Sequence, residues 1–450
     1  MKKSRILALA LAFMMCFSTV AMASQPQPPI KNEHDAWVAV DEDNPVQVAI
    51  SKILRLPIGT TTPNATFIFD AKPISVDEIP FDEDEPNMPF LNVGNMQVTF
   101  TEADTEEPDA DNIISITIET KDILENVIFE NAGEYIYEIR ERKDTNEGID
   151  DNEPYEFLSY SDGVYTLHVY VANTSDESNR DTYVYAVGVR ITEPDNPETQ
   201  VAGRKVDPTP GGNQSTYYFS QLEFTNDYVK VNAPVDPENP QPVTESTLNI
   251  SKTVTGDLGS WNQFFKFNLH RLHIPILVET PPAYYRAYIV DDLTNTVVVA
   301  PAIFENVAEA LVEEVEGSHP FIMVPSAGPM EFSLKHGQRL VFVDTPVGTS
   351  YSVTEAAVAL YTASVSIRTN NIVVHTEANT ESNTELTTGI RFVGELLNTA
   401  DFTNNRTSVV PTGLNIVNLP FVGLIALPII ALLGFIVVKS RKKRVYSPYK

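Results

Sequence analysis

Ile50-Ser-Lys52-Ile-Leu54 is the first of three stretches that occur twice in this chain in the same order. The first set continues with Tyr135-Ile-Tyr137-Glu-Ile139-Arg-Glu141 and Phe224-Thr-Asn226. The second set reads Ile250-Ser-Lys252-Thr-Val254, Tyr351-Ser-Val353-Thr-Glu355 and Phe402-Thr-Asn404. Residues two apart in a strand share a face, so each Lys, Glu and Asn points into the core with its apolar neighbours. The repeat therefore predicts strands that bury one Lys, one Glu and one Asn in each half of the chain.

A lone Lys or Glu in an apolar core is costly unless it is neutralised or paired. Two Lys/Glu/Asn triplets in one chain therefore suggest that this cost is removed by chemistry. A neutral lysine amine can attack an asparagine carboxamide, expel ammonia and leave an uncharged amide cross-link. A protonated Glu beside them can hydrogen-bond the carbonyl and move protons towards the departing ammonia. The alternative is an ordinary buried ion pair, or residues solvated at strand ends.

The N-terminus has the pattern of a secretory signal peptide. Basic residues precede an apolar run from Ile6 to Phe17, and Ala21-Met-Ala23 offers a small-residue cleavage site. The apolar run is too short to span a bilayer comfortably. The single cysteine, Cys16, lies inside this segment, so we expect an exported mature protein without disulfides.

The C-terminus contains Val410-Pro411-Thr412-Gly413, then an uncharged apolar stretch from Leu419 to Val438, then basic residues from Lys439 to Arg444. The apolar stretch is long enough to cross a bilayer, and the basic cluster keeps the tail cytoplasmic. A plain single-pass anchor would share this hydropathy. The Pro-Thr-Gly just outside the membrane, however, resembles a sortase sorting signal of the LPXTG type. That resemblance implies cleavage between Thr412 and Gly413 and transfer of the Thr carboxyl to an amine.

The charge of the chain excludes one class of function. The full sequence carries 31 basic and 61 acidic side chains, for a net charge of −30. Without the signal peptide and the segment after Thr412, 22 basic and 61 acidic side chains remain, a net charge of −39. Such a surface repels nucleic acid and anionic membranes, so no nucleic-acid partner is expected.

From about residue 46 the sequence alternates apolar and polar side chains in short stretches, which is typical of half-buried strands. These stretches include Thr66–Phe69, Gln97–Thr101, Ile114–Ile118, Tyr165–Val171 and Tyr183–Val189. A weak helical period occurs only between residues 306 and 315. The predicted fold class is all-β, with two tandem immunoglobulin-like β-sandwich domains.

A Pro-rich stretch divides the chain into two units, and Ile-Ser-Lys leads to Phe-x-Phe in both. The first unit carries two insertions, an acidic loop at Asp77–Asn87 and a Pro/Gly segment at Glu193–Gln214. The predicted organisation is a signal peptide at 1–23, a flexible leader at 24–45, a first β-sandwich at 46–231, a linker at 232–244, a second β-sandwich at 245–407, and a sorting segment with a transmembrane helix and a basic tail at 408–450.

The order ISK…YxYxIxE…FTN, with a sorting signal soon after the second FTN, resembles streptococcal-type backbone pilins built from pilin isopeptide-linkage domains. The resemblance covers nearly the whole mature chain. It implies one Lys–Asn isopeptide bond in each domain, with one Glu as the proton shuttle. These residues are Lys52, Glu141 and Asn226 in the first domain and Lys252, Glu355 and Asn404 in the second.

Two of these assignments depend on a choice between neighbouring residues. Glu141 is preferred to Glu138 because it shares a face with the aromatic and apolar residues of its strand. Asn404 is preferred to Asn405 because it occupies the position of the first FTN motif.

The predicted function is that of a structural protein, the backbone subunit of a covalently polymerised pilus on the surface of a Gram-positive-type cell. A pilin-class sortase would join Thr412 of one subunit to an exposed lysine of the next, with Lys205 as the first choice and Lys230 as the second. The expected partners are therefore the sortase, neighbouring subunits or peptidoglycan, and a host surface ligand. The expected location is the cell wall, after a transient membrane-bound precursor.

Two other functions are compatible with parts of this pattern. A monomeric wall-anchored stalk or adhesin, or a minor pilin, would carry the same motifs. A surface enzyme such as a hydrolase would need a polar catalytic cluster, but the sequence contains no HExxH, GxSxG or P-loop pattern. No metal site and no cofactor are predicted, and the only chemistry expected is a single intramolecular turnover.

Overall fold

The computed structural model describes most of the chain between residues 45 and 407. The described residues are 30–31, 37–38, 45–143, 145–146, 149, 156–174, 181–211, 219–231, 241–244, 246–278, 282–314, 318–326, 328–407, 427, 430–433, 435–436 and 439. The predicted signal peptide, the sorting motif at 410–413 and most of the linker lie outside them. Within the described residues, no helix combines the length and the apolar character that a membrane span requires.

The described chain is almost entirely β. The strands before the linker are β1 (Ile30–Lys31), β2 (Trp37–Val38), β3 (Ser51–Pro57), β4 (Ala65–Val76), β5 (Ile79–Pro80), β6 (Gln97–Phe100), β7 (Ile113–Glu119), β8 (Gly133–Glu141), β9 (Glu156–Leu158), β10 (Val164–Asn173), β11 (Thr182–Glu193), β12 (Lys205–Val206) and β13 (Glu223–Lys230). The strands after it are β14 (Leu248–Thr255), β15 (Phe265–His273), β16 (Tyr284–Asp291), β17 (Thr296–Val297), β18 (Val312–Glu313), β19 (Phe321–Pro325), β20 (Met330–Leu334), β21 (Gln338–Phe342), β22 (Ser350–Glu355), β23 (Thr362–Thr369), β24 (Ile372–Ala378), β25 (Leu386–Thr387), β26 (Arg391–Phe392) and β27 (Thr399–Asn405).

The five alternating stretches named above fall within β4, β6, β7, β10 and β11 or extend one residue beyond them, so the all-β prediction is confirmed. The helical possibility at residues 306–315 is wrong. That region contains a single 3-10 turn, Glu309–Leu311, followed by β18, and a second turn, Ala302–Glu305, precedes it. Ile303 and Val307 are buried, so packing against the core fixes these short turns without a continuous helix.

The first sandwich, residues 45–231, consists of two facing sheets. One sheet has the order β12-β11-β10-β8-β4-β5, with β6 also paired to β4, and the other has the order β7-β3-β13-β9. Alternate residues of β8 are buried, from Tyr135 to Glu141, while the residues between them are more exposed. One apolar core fills the space between the sheets and draws on both of them.

The second sandwich, residues 246–407, repeats this plan. Its larger sheet has the order β18-β19-β16-β21-β14-β27-β23-β24, with β17 paired to β16. Its smaller sheet has the order β20-β15-β22-β25, with β26 paired to β22. A second, separate apolar core lies between these sheets. The prediction of two β-sandwiches is thus confirmed by two pairs of facing sheets, each of which encloses a main apolar core among the described residues.

Each sandwich brings its first long strand beside its last. β3 pairs with β13 in parallel, and β14 pairs with β27 in parallel. Parallel neighbours need a long connection, and here nearly the whole sandwich lies between the two strands. The beginning and the end of each sandwich are therefore adjacent in one sheet.

The two sandwiches contact each other where β13 leads towards β14. The Val347 N–H donates to the Lys230 carbonyl at 2.8 Å, and the Thr61 N–H donates to Glu395 Oε1 at 2.8 Å. Gly348 has a φ of +82°, and a Cβ there would collide with Pro57. A glycine thus permits both the left-handed turn and the close approach of the two units.

Candidate functional site: two buried lysine–glutamate–asparagine triads

Strand register brings each lysine beside its asparagine. In the first sandwich Lys52 on β3 pairs with Phe224 on β13, and Asn226 is two residues further along β13. In the second sandwich Lys252 on β14 pairs with Phe402 on β27, and Asn404 is again two residues further. Because residues two apart share a face, both side chains of each pair point into the same core. The same two-residue offset occurs in both sandwiches.

The glutamate of each triad comes from the opposite sheet. Glu141 is the last residue of β8 and pairs with Phe69 on β4. Glu355 is the last residue of β22 and pairs with Phe267 on β15. The carboxylate therefore reaches across the sandwich to the lysine and asparagine on the facing sheet. We call the resulting clusters the first triad (Lys52, Glu141 and Asn226) and the second triad (Lys252, Glu355 and Asn404).

In the first triad one carboxylate oxygen contacts both reacting groups. Lys52 Nζ lies 2.6 Å from Glu141 Oε1, and Asn226 Nδ2 donates to the same oxygen at 3.0 Å. The Ser161 main-chain N–H donates to Glu141 Oε2 at 2.8 Å and to Asn226 Oδ1 at 2.9 Å. Every oxygen of the carboxylate and the carboxamide thus has a polar contact.

The second triad has the same centre with fewer partners around it. Lys252 Nζ donates to Glu355 Oε1 at 2.6 Å, and Asn404 Nδ2 donates to that oxygen at 2.8 Å. Among the described residues, neither Glu355 Oε2 nor Asn404 Oδ1 has a hydrogen-bond partner. The shared Oε1 contact is therefore common to both triads, whereas a main-chain donor is present only at the first among the residues described.

Aromatic rings enclose both amines. Lys52 Nζ lies 4.5 Å from the centroid of the Phe67 ring, and Lys252 Nζ lies 4.3 Å from that of Phe265. Both lysine side chains are fully buried. The low-dielectric surroundings disfavour the charged form of each amine, although a ring face attracts a cation.

Burial shifts both ionisable groups of each triad towards their neutral forms. Desolvation lowers the pKa of Lys52 and of Lys252 to about 8, although the neighbouring carboxylate acts in the opposite direction. Desolvation likewise raises the pKa of Glu141 and of Glu355 above the ordinary carboxyl value, opposed by the adjacent lysine. The proton shared within each pair can thus lie on the carboxyl group, which leaves a nucleophilic amine beside a carboxamide.

The structure brings together all six residues of the predicted triplets and leaves their rejected neighbours outside. Glu138 lies on the other face of β8, where it accepts a hydrogen bond from Arg140 at 2.8 Å. Asn405 is exposed at the end of β27. Ser161, which contacts the first triad, was not predicted. It lies in a loop far in sequence from both of its partners, and no sequence pattern marks a main-chain N–H.

The two candidate acceptor lysines lie in different surroundings. Lys205 is exposed on β12, an edge strand that pairs it with Arg190. Lys230 ends β13 at the contact between the sandwiches, and its Nζ lies 3.5 Å from Glu395 Oε2. Lys230 is therefore partly covered, whereas Lys205 is open to a partner. Among the described residues, no group of three or more potential metal ligands occurs.

The described chain is thus an all-β protein of two sandwiches, each with a buried Lys–Glu–Asn triad. Residues 246–406 match the family DUF7601, described as a domain of unknown function. No curated protein matches the chain.

Three similar solved structures come from pilus proteins. The major pilin of Streptococcus pyogenes is 20% identical with a TM-score of 0.28, covering 80% of this chain and 99% of that one. The S. pyogenes major pilin of serotype GAS13637 is 16% identical with a TM-score of 0.27, covering 79% of this chain and 97% of that one. A pilus-presented adhesin is 16% identical with a TM-score of 0.19, covering 51% of this chain and 39% of that one. Because these TM-scores are low, the side-chain geometry carries the functional proposal.

Proposed function

We propose that each triad converts itself into an isopeptide bond, Lys52–Asn226 in the first sandwich and Lys252–Asn404 in the second. The observation that carries this proposal is the shared oxygen. In both triads Oε1 of the glutamate contacts the lysine Nζ and the asparagine Nδ2 at once. A proton can therefore leave the amine and reach the departing nitrogen through a single carboxyl group.

The reaction consumes one amine and one carboxamide and releases one ammonia. Neutral Nζ attacks the asparagine Cγ, so that a C–N bond forms and Oδ1 takes on negative charge. The carboxyl group then receives a proton from Nζ and gives one to Nδ2. The Cγ–Nδ2 bond breaks, and ammonia leaves with the electron pair of that bond. Burial in a fixed geometry supplies the high effective concentration that so poor an electrophile needs.

The position of the bonds suits a protein that bears tension. Each bond would join the first long strand of a sandwich to its last, β3 to β13 and β14 to β27. A pull applied at the two ends of a sandwich would run through the amide and leave the intervening strands largely unloaded. Resistance of this kind is kinetic, which is what matters for a surface stalk.

The wider role that we propose is that of a structural subunit of a covalent surface pilus. The support comes from the predicted sorting motif Val410–Gly413, the acidic mature chain and the exposed Lys205. A sortase would transfer the Thr412 carboxyl of one subunit to Lys205 of the next, and the last subunit to the cell wall. Lys230 is the second choice because of its ion pair with Glu395.

High-resolution intact mass of residues 24–412 tests the bonds first. We expect a mass lower than that of the sequence by two ammonia molecules. Glu141→Ala and Glu355→Ala should each restore one of them, whereas Glu138→Ala, on the outer face of β8, should restore none. A mass equal to that of the sequence would make the triads ordinary buried polar groups.

Co-expression of the full chain with a pilin-class sortase separates a pilus subunit from a wall-anchored monomer. A pilus subunit gives a ladder of covalent polymers, which Lys205→Arg abolishes and Lys72→Arg, a change of another exposed lysine, leaves intact. A single wall-linked species with wild-type Lys205 would favour the monomeric stalk or adhesin.

A further inference from the structure

Beside the first triad lies a main-chain N–H, that of Ser161, which takes no part in strand pairing. β9 pairs with β13 through Leu158 and Tyr228, and the Ser159 N–H then donates to the Asp227 carbonyl at 2.9 Å. Beyond this point the chain turns towards β10, and the Gly163 N–H donates to Ser161 Oγ at 3.1 Å. The Ser161 N–H, two residues after the last ladder bond, is therefore available to side chains.

This N–H points at the two groups on which the reaction depends. It donates to Asn226 Oδ1 at 2.9 Å and to Glu141 Oε2 at 2.8 Å. Ser161 is 3% exposed, so water does not compete freely for these contacts. A donor aimed at a carbonyl oxygen in a dry site gains strength as that oxygen becomes an anion.

We propose that the Ser161 main-chain N–H is a catalytic group of the first triad, acting as its oxyanion donor. This inference rests on the proposed isopeptide function. As Nζ of Lys52 attacks Cγ of Asn226, the electron pair of the C=O bond moves to Oδ1, where the N–H stabilises it. The pair returns to carbon when the C–N bond to Nδ2 breaks and ammonia leaves with the proton supplied by Glu141. The contact to Oε2 holds the carboxyl group in place for that transfer.

Within the part of the chain that the structure describes, the second triad has no equivalent donor, and its sheet shows the reason. There β23 takes the place beside the last strand, and Ala363 pairs with Asn404 in an unbroken ladder. Among the described residues, Asn404 Oδ1 has no hydrogen-bond partner. The second bond would therefore form without the main-chain oxyanion donor that we propose for the first, and Glu355 would only carry the proton from Nζ to Nδ2.

A single-atom change tests the role of this N–H. Residues 24–412 are made by cell-free synthesis with alanine or with its α-hydroxy analogue, lactic acid, at position 161. The analogue replaces the N–H by an oxygen and keeps the shape of the chain. Samples are quenched in acid at intervals, and the cross-linked peptides that contain Lys52 or Lys252 are measured separately by mass spectrometry.

We expect the ester at position 161 to slow the first bond at least about tenfold relative to Ser161→Ala, because loss of one oxyanion donor has effects of this order or larger. The second bond should form at an unchanged rate. A matched control is the ester at position 162, whose N–H donates to Asp195 Oδ1 at 3.2 Å and does not touch the triad.

Each outcome has a distinct meaning. If both variants at position 161 form the first bond at the same rate, the role of Ser161 is disproved and the proposed bond stands. If the unaltered chain forms no first bond, the proposed function fails for this triad and the role of Ser161 fails with it. A selective loss in the first sandwich alone supports both.

Discussion

The two triads share the same arrangement of strands around Lys, Glu and Asn, which we call the shared framework. They differ in the element that lies beside the asparagine strand on the side away from the lysine strand. In both, a lysine and an asparagine lie two residues out of register on parallel strands, and a glutamate crosses from the facing sheet. In the first sandwich the neighbour of β13 is the short β9 and the loop that contains Ser161. In the second, β23 covers β27 along its whole length.

This difference separates the groups that isopeptide formation requires from a main-chain donor that affects only its rate. The shared framework supplies the amine, the carboxamide and the proton carrier in contact. The element beside the asparagine strand determines whether a main-chain N–H can donate to the carboxamide and carboxylate oxygens. A strand that is paired along its length, such as β23, uses its N–H groups for backbone hydrogen bonds. A loop, such as the one that contains Ser161, can direct an N–H at a side chain instead.

The largest expected effect comes from removing either cross-link. Lys52→Met and Lys252→Met should each lower the free energy of unfolding of their own sandwich by about 5 kcal/mol, because the chain closed by either bond is long and its closure entropy depends only weakly on length. Trp261, which lies in the second sandwich and is 62% exposed, gives a fluorescence probe for denaturant unfolding of that unit.

The exposed Lys266→Met is the matched control, since it removes a lysine from the second sandwich without touching the triad. Its unfolding midpoint should stay near that of the wild type. Equal midpoints for Lys252→Met and Lys266→Met would show that no bond supports the second sandwich.

The glutamates are expected to differ in how completely their loss stops the reaction. Glu→Gln keeps the shape but cannot carry a proton, which should slow bond formation by about 10²-fold or more. In the second sandwich Glu355→Gln removes the proton carrier from a triad whose Oδ1 has no donor among the described residues, so the bond should be absent after hours. In the first, Glu141→Gln leaves the Ser161 N–H in place, and slow residual bonding should be detectable.

Peptide mapping of both variants over a time course checks this asymmetry. The unmutated sandwich in each chain serves as the internal control. Residual bond formation in Glu355→Gln but not in Glu141→Gln would contradict the inference that the Ser161 N–H assists the first triad.

Sequence patterns predicted the shared framework because it is made of residues with an unusual burial cost. Lys52 and Lys252 interrupt apolar strand faces. Because side chains alternate between the two faces of a strand, the sequence alone places both lysines in the core. The rest depends on tertiary contacts. The donor at Ser161 is a backbone group, so its side-chain identity carries no signal. The weak helical period near residue 306 gave way to packing of Ile303 and Val307 against the core.

The contact between the sandwiches was equally hidden in the sequence. Lys230 was expected to be an exposed acceptor, but its partner Glu395 lies in the other sandwich. Sequence distance gives no indication of such a pair, whereas the position of Lys205 in a Pro/Gly-rich insertion was a local signal of exposure.

The smallest effect that we predict concerns pH, and it distinguishes a bonded triad from an unbonded one. Asn404→Ala cannot form the second bond, so Lys252 keeps a titratable amine whose pKa burial lowers from 10.5 to about 8. Between pH 8 and 10 the unfolded state then binds more protons than the folded state, so stability rises with pH. Over this window the gain should be about 2 kcal/mol.

The wild type supplies the comparison, because in it the same nitrogen is an amide and does not titrate. Its second sandwich should show no such rise. Tyr285 and Tyr351, whose pKa values burial raises, should lower the stability of both chains alike from about pH 9 upward, as the unfolded tyrosines ionise. Denaturant unfolding followed by Trp261 fluorescence at pH 8, 9 and 10 measures both chains. Parallel curves for the two would mean that Lys252 is charged alike in both, which an amide at that position forbids.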